Sequence, residues 1–84
     1  MVLEERTINN ISIYPSPINN ELQVEFLAGI TSEVRITDIY GRILVQEKSD
    51  SGKMIFNTSA FEKGIYFVSI EQEGQVYVQK VIRE

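Results

Sequence analysis

The side chains that could do chemistry in this chain are carboxylates, amines and phenols, because its 84 residues include neither cysteine nor histidine. These absences exclude thiol nucleophiles, thiolate metal sites and mechanisms that need an imidazole base. Glu21 and Glu25 come nearest to the carboxylate pair of a glycosidase. They lie on the solvent face of a predicted strand, and so short a chain lacks volume for a substrate cleft. The sequence therefore predicts a protein that is not an enzyme, with no catalytic residue and no cofactor.

Ligands for a hard cation are equally sparse. The candidate positions for calcium are the turn Asp50-Ser51-Gly52 and the carboxylates of Glu71 and Glu73. A calcium site needs several converging oxygens, and the chain has only two aspartates. Asp50 is explained by turn chemistry alone. We expect no metal site.

The aromatic residues, four tyrosines and four phenylalanines, suggest a different chemistry, because a row of exposed rings on a sheet can stack on sugars. Four of them are more simply explained as core: Phe26, Phe56, Phe61 and Tyr66. The other four are expected to be partly exposed: Tyr14, Tyr40, Phe67 and Tyr77. They leave open an alternative function as an accessory carbohydrate-binding or adhesive module of a surface enzyme.

The charge balance argues against nucleic acid as a partner. Lys and Arg number 8 and Asp and Glu number 12, a formal net charge of −4, whereas nucleic-acid binders usually carry a basic surplus. No run approaches the ~20 apolar residues that cross a bilayer, so no transmembrane segment is expected. The first residues do not resemble a signal peptide. Either the protein is cytosolic, or the chain is a piece of a longer protein whose export signal lies elsewhere.

The elements that must position these side chains are short β-strands. Residues 1–10 are polar and are interpreted as a linker or a ragged start. From residue 11 onward, short alternating or apolar runs are separated by Pro, Gly and Ser-rich turns. About seven strands with this spacing are typical of a β-sandwich, and no helical stripe exceeds one turn. We therefore predict one all-β domain over residues 11–84, an immunoglobulin-like antiparallel sandwich.

Alternation predicts the core. In residues 21–26, Leu22, Val24 and Phe26 point inward. The same argument, applied to every run, gives the residues expected to be buried: Leu22, Val24, Phe26, Val34, Ile36, Phe56, Tyr66, Val68 and Ile70. The run Ile43-Leu44-Val45 is apolar throughout, so its inward face cannot be assigned from periodicity. Glu73-Gly74 predicts a hairpin turn before the last strand.

Four segments, read in order, resemble the type A C-terminal sorting domains of the type IX secretion system (Por secretion system) of Bacteroidetes-type bacteria. Tyr14-Pro15-Ser16-Pro17 is similar to the family's Tyr-Pro-Asn-Pro opening, and Asp38-Ile39-Tyr40-Gly41-Arg42 to its Asp-x-x-Gly-Arg turn. Residues 61–66 are similar to its Leu-x-x-Gly-x-Tyr segment, and residues 80–84 to its terminal lysine followed by aliphatics. Ser16 and Phe61 depart from the usual asparagine and leucine.

The resemblance implies export rather than catalysis. Such domains end larger exported proteins and carry an attached N-terminal passenger from the periplasm across the outer membrane. A sortase-like peptidase then typically cleaves the domain, and the passenger is attached to the surface or released extracellularly. The implied partners are the type IX translocon, this peptidase and the covalently linked passenger, and Met1 would then lie inside a longer chain. A purely structural spacer is a third possibility.

The candidate recognition residues, taken from the matching positions, are Pro15, Pro17, Asp38, Gly41, Arg42, Gly64, Tyr66, Lys80 and Val81. Physical chemistry gives several of them a structural reason as well. The prolines fix φ and remove amide donors, so the first strand must end there. The two glycines are expected where φ is positive or backbones approach closely.

Side-chain contacts are also expected in these segments. Asp38 and Arg42 should pair across their turn, and the hydroxyl of a buried Tyr66 should reach a backbone partner. At the end of the chain, Lys80 and Arg83 should extend from an edge strand into solvent, where cationic side chains resist chance strand pairing.

Overall fold

The structure is a computed structural model that describes residues 6–8, 11–14, 18 and 20–84. Every regular element within them is a strand, and no helix occurs among them. The strands are β1 (Arg6–Ile8), β2 (Ile11–Tyr14), β3 (Glu21–Glu25), β4 (Ser32–Asp38), β5 (Ile43–Ser49), β6 (Lys53–Asn57), β7 (Gly64–Gln72) and β8 (Gln75–Arg83).

These strands form two four-stranded sheets. Sheet A has the order β1-β2-β3-β6, and sheet B has the order β5-β4-β7-β8. All neighbouring strands are antiparallel. The apolar faces of both sheets contribute to one core cluster, so the predicted antiparallel sandwich is confirmed.

Strand β1 is an element that the sequence did not indicate. It pairs with β2 in the register Thr7↔Ser12 and lies within residues 1–10, which were interpreted as a linker. Three residues are too few for a periodicity to emerge from a polar segment. The boundary at residue 11 stays a prediction, but sheet A gains its edge strand from before it.

The core follows the predicted alternation. All nine side chains expected to be buried are buried, and Leu22, Val24, Val34, Ile36 and Val68 are wholly inaccessible. Strands β2, β3, β4, β6 and β7 bury alternate residues, because successive side chains of a pleated strand point to opposite faces. The prediction of the core is therefore confirmed.

Strand β5 resolves the ambiguity of its apolar run. Val45 is half-buried against the core, whereas Ile43 and Leu44 are exposed. Ile43 and Val45 pair with the consecutive residues Thr37 and Ile36 of β4, so Leu44 is the extra residue of a β-bulge. An edge strand that bends at a bulge leaves apolar side chains outside the core.

The last strand is joined to its neighbours at both ends. Glu73 and Gly74, with φ of 50° and 82°, form the predicted two-residue hairpin turn between β7 and β8. At the other end, the Ile18 amide donates to the Ile82 carbonyl at 2.8 Å, and Ile18 forms a parallel bridge with Arg83. Ile18, which lies between β2 and β3 in the sequence, is thus joined to sheet B.

Candidate recognition site

The Asp38 carboxylate organises the turn between β4 and β5. Its Oδ1 accepts hydrogen bonds from the Tyr40 and Arg42 amides at 2.8 and 3.0 Å, and the Arg42 Nε donates to its Oδ2 at 2.6 Å. Gly41 takes φ of 85°, a conformation that favours glycine. A short side chain that accepts from amides two and four residues ahead fixes the turn locally, and the predicted pairing of Asp38 with Arg42 is confirmed.

The two partners of this ion pair differ in exposure. The Asp38 side chain retains 11% of its accessible surface and the Arg42 side chain 73%. Burial acts to raise the pKa of Asp38, but hydrogen bonds from the Arg42 backbone, the Arg42 guanidinium and the Tyr40 amide outweigh it and hold the pKa below its ordinary value. The guanidinium also lies 5.7 Å from the centre of the Tyr40 ring. Asp38 therefore serves the turn, and Arg42 is presented to solvent.

The segment before β7 is fixed by Tyr66. Its ring is buried, and its hydroxyl donates to the Glu62 carbonyl four residues upstream, so the predicted backbone partner is confirmed. This contact resembles the tyrosine corner of immunoglobulin-like sandwiches. The Phe61 ring lies 5.0 Å from the Tyr66 ring, and Gly64 has φ of 148°. The connection from sheet A to sheet B is thereby held in one conformation.

Near the end of β8, the side chains of Lys80 and Arg83 differ in their contacts, although the sequence predicts that both extend into solvent. Lys80 is exposed, as predicted. Arg83 instead folds back: its Nε donates to the Phe61 carbonyl at 3.2 Å, and its Nη2 lies 3.4 Å from the Ser59 carbonyl and 3.5 Å from Asn20 Oδ1. The expectation that Arg83 extends into solvent is corrected, because three acceptors surround its guanidinium.

The family-like segments converge at one end of the sandwich, called here the Arg83 end. Asp38 pairs with Tyr66 across β4 and β7, and Tyr66 pairs with Val81 across β7 and β8. Gly64 faces Arg83 in the same ladder, and Ile18, between β2 and β3 in the sequence, bridges Arg83. Every candidate recognition residue that the structure describes therefore lies within a few residues of this end. Pro15 and Pro17 lie outside the described residues.

A groove of about 450 Å³ opens at the Arg83 end. Its walls come from the Asp38–Arg42 turn and from residues 60–66. The Tyr40 ring, 78% exposed, stands on one side, and Lys63 on the other. The turn and the corner, which are distant in sequence, thus form one concave surface with an aromatic ring and two cationic side chains.

A family profile described as a secretion system C-terminal sorting domain matches residues 12–84. The chain belongs to this family. As a type IX secretion sorting domain with a β-sandwich fold, it is part of an exported protein. The family is in general non-catalytic.

Among solved structures, the sorting domain is similar to part of PorZ from Porphyromonas gingivalis, which is described as an essential bacterial surface component of the type-IX secretion system. The TM-score is 0.75 at 21% sequence identity, and the match covers 88% of this chain and 11% of that protein. At this identity the likeness shows the fold. No curated protein matches the chain.

The geometry divides the candidate residues of the sorting domain into two groups. Asp38, Tyr66 and Val81 are buried and shape the Arg83 end. Arg42 and Lys80 are exposed and available to a partner. Another molecule could therefore contact only the second group directly.

Two residues at this end were given no site role by the sequence. Tyr40 was noted only as a partly exposed aromatic, and its contact with Arg42 depends on a tight turn that brings the two side chains together. Asn20 accepts from Arg83 at a sequence separation of 63. A local sequence pattern cannot predict a contact between residues so far apart in sequence.

Other chemistries find little support in the sorting domain. Glu21 and Glu25 lie on one strand, about 13 Å apart along the backbone. Glu25 is engaged by Lys53 at 3.8 Å. Within the described residues, no cluster of three or more potential ligands could hold a metal ion, and no helix is long and apolar enough to cross a membrane.

Proposed function

We propose that this domain is a folded, non-catalytic signal that directs an attached N-terminal passenger across the outer membrane through the type IX secretion system. The observation that carries the proposal is the convergence of the family-like segments on the Arg83 end. Segments separated by up to 65 residues in sequence lie together at one end only because the fold or a partner requires it. Because the exposed members are cationic and aromatic, they provide a surface that a partner can read.

The proposal assigns roles to the two groups of residues. Asp38, Gly41, Gly64, Tyr66 and Val81 hold the shape of the end. Pro15 and Pro17, which lie outside the described residues, remain candidates from the family motif alone. Arg42 and Lys80 then present charge to the translocon. Arg42 is held at its Nε by Asp38, and its terminal nitrogens carry further N–H donors. A guanidinium held in this way is pre-organised for a carboxylate or carbonyl partner.

The cellular path follows from the same proposal. The domain passes through the periplasm, engages the translocon at the outer membrane, and is then removed by a sortase-like peptidase. The passenger remains at the cell surface or is released. The folded sandwich is the ligand in each of these steps, and the chain itself performs no covalent chemistry.

The decisive test fuses a reporter to the N-terminus of the 84-residue chain in a host with an active type IX system. We expect export of the fusion, and at least a tenfold loss of export for Lys80→Ala. Melting should hardly change, because an exposed charge outside a buried network contributes under ~0.5 kcal/mol. Lys48→Ala is the matched control, since Lys48 is also exposed on a strand of sheet B. Full export of a stable Lys80→Ala fusion would remove Lys80 from the signal.

The alternative of a carbohydrate-binding or adhesive module rests on the exposed Tyr40 ring beside the groove. Of the other candidate rings, Tyr14 belongs to sheet A, Tyr77 packs against the core cluster, and Phe67 is half-buried in β7. Binding of the isolated domain to cell-surface polysaccharide, lost in Tyr40→Ala, would favour this alternative. Export of the fusion with no such binding would favour the sorting function.

A further inference from the structure

Strand β8 is the least protected edge of the sandwich. Among the described strands, β1 and β6 are short edges of three and five residues, and β5 is interrupted by its bulge. Strand β8 has nine residues and pairs with β7 without any shift of register. Natural sheets usually shorten, bend or cover such an edge to prevent strand pairing. A long and regular edge is therefore a feature to explain.

The hydrogen bond from Ile18 identifies which backbone groups of β8 face outward. The Ile82 carbonyl points away from β7, toward Ile18. In an antiparallel ladder the amide and carbonyl of a residue point to the same side, and the side alternates along the strand. Val76, Val78 and Lys80 therefore direct their amides and carbonyls to the open side. Among the described residues, Ile18 covers this edge at the last residues of β8.

The side chains of the same residues line the outer face of sheet B. Val76, Val78 and Ile82 are 55%, 59% and 42% exposed, and Lys80 lies between the last two. These four residues are called here the β8 stripe. On β7, Ile65 and Phe67 face Ile82 and Lys80 and widen its apolar surface. An open backbone edge and an exposed apolar stripe thus coincide on one strand.

We propose that the β8 stripe pairs with the β8 stripe of a second copy of this chain. The strands run antiparallel about a two-fold axis at Val78, so that Val76 of each copy faces Lys80 of the other. The open part of the edge is centred on Val78, which makes this register self-complementary. It forms about six backbone hydrogen bonds, two from each of the pairs that face each other across the axis. The two copies of sheet B become one eight-stranded sheet.

Charge complementarity selects a second copy as the occupant. Glu71 faces Val76 across β7 and β8, so Lys80 of one copy lies over Val76 and toward Glu71 of the other. Within the described residues, neither Lys80 nor Glu71 has an ion-pair partner. Glu73 lines the same cleft as Glu71, together with Lys48 and with Glu33, which pairs with Arg35 at 2.8 Å. The negative charge that faces the incoming lysine therefore comes from Glu71 and Glu73. The two lysines of the dimer stay more than ~13 Å apart, four strand residues along the axis.

The geometry also limits the assembly to a dimer. A two-fold contact uses the same surface on both copies and leaves no second β8 edge for a third. The interface is one strand wide, so its area falls below that of stable complexes, and the association is weak and concentration-dependent.

The test is sedimentation equilibrium of the 84-residue chain between about 10 µM and 1 mM, with amide exchange measured at both ends of that range. We expect a dimer at the high end and slower exchange of the Val76, Val78 and Lys80 amides. Lys80→Glu or Glu71→Lys should each weaken the dimer about tenfold, and the double variant should restore it. Lys53→Glu, on sheet A, is the control and should leave the dimer intact.

A second variant blocks the edge without changing charge. Val78→Pro removes an amide that β7 does not use, and proline is tolerated on the open side of an edge strand. The variant should fold, as seen by its melting transition, and remain monomeric. A monomeric wild-type chain at 1 mM would overturn the proposal, and so would failure of the double charge reversal to restore a dimer that the single variants weaken.

Discussion

Replacing Val68 with alanine measures how much of the stability comes from the contact between the two sheets. Val68 is fully inaccessible and lies between Ile36 of β4 and Gln79 of β8. The substitution removes two methyl-sized groups, about 1.6 kcal/mol at ~0.8 kcal/mol each. A residual cavity of about 50 Å³ adds up to ~1.2 kcal/mol if nothing relaxes. Since the unfolded chain already buries some apolar surface, we expect a loss of about 1–3 kcal/mol.

That loss is a large share of the total, because a domain of this length has a free energy of unfolding of about 4–13 kcal/mol. Urea unfolding followed by fluorescence should show a lower midpoint with an unchanged slope, and the melting temperature should fall by about 5–20 °C. Val76→Ala is the matched control: it makes the same chemical change on the neighbouring strand, where the side chain is 55% exposed.

Both variants are measured at about 5 µM, at which a weak dimer dissociates. The difference between them isolates burial from the shared change in strand propensity. The control should lose less than ~0.5 kcal/mol. Equal losses at the two positions would refute the assignment of Val68 to the core and with it the packing of the sheets.

Three further outcomes are expected. Tyr66→Phe should lower the free energy of unfolding by about 0.5–1.5 kcal/mol, measured by urea unfolding, because it leaves the Glu62 carbonyl without its donor; no loss would dismiss the corner contact. The depressed pKa of Asp38 means that its stabilisation is present above the ordinary carboxyl range and disappears as pH falls through the folded-state pKa; the melting temperature of Asp38→Ala should therefore fall less than that of wild type between about pH 5 and pH 2. With a net charge of −4, the domain should show no salt-sensitive binding to DNA or RNA, and submicromolar affinity in a fluorescence titration at physiological salt would contradict this.

Residues such as Leu22, Val24 and Val68 could be placed from the sequence because alternation is a local property of a pleated strand. The turns at Gly41 and Glu73-Gly74 could also be predicted, since their backbone conformations restrict which residue types occur there. The side of β5 that faces the core could not be predicted. A bulge shifts the register by one residue, and the apolar run has no polar residue that would mark the solvent face. Strand β1 was missed because a three-residue polar strand depends on its neighbour rather than on its own pattern.

The sequence predicted contacts of the candidate site only where both partners lie in one segment. The pairing of Asp38 with Arg42 and the buried ring of Tyr66 were predicted, since both follow from local spacing. The retention of Arg83 was not predicted, because its acceptors are the Ser59 and Phe61 carbonyls and the side chain of Asn20. Those groups lie 22 to 63 residues away in sequence, and only the closed sandwich brings them together.

The bridge between Ile18 and Arg83 has a consequence for the order in which the domain folds. The β7–β8 hairpin closes over a two-residue turn and can form early, on a timescale of microseconds. The bridge closes a loop of about 65 residues, whose entropic cost can be met only after the intervening strands have assembled. The contact between Ile18 and β8 should therefore form last during folding and break first during unfolding. Opening at this point breaks the contact between Ile18 and β8 while the strand pairing within both sheets remains, which provides a partly opened state distinct from global unfolding.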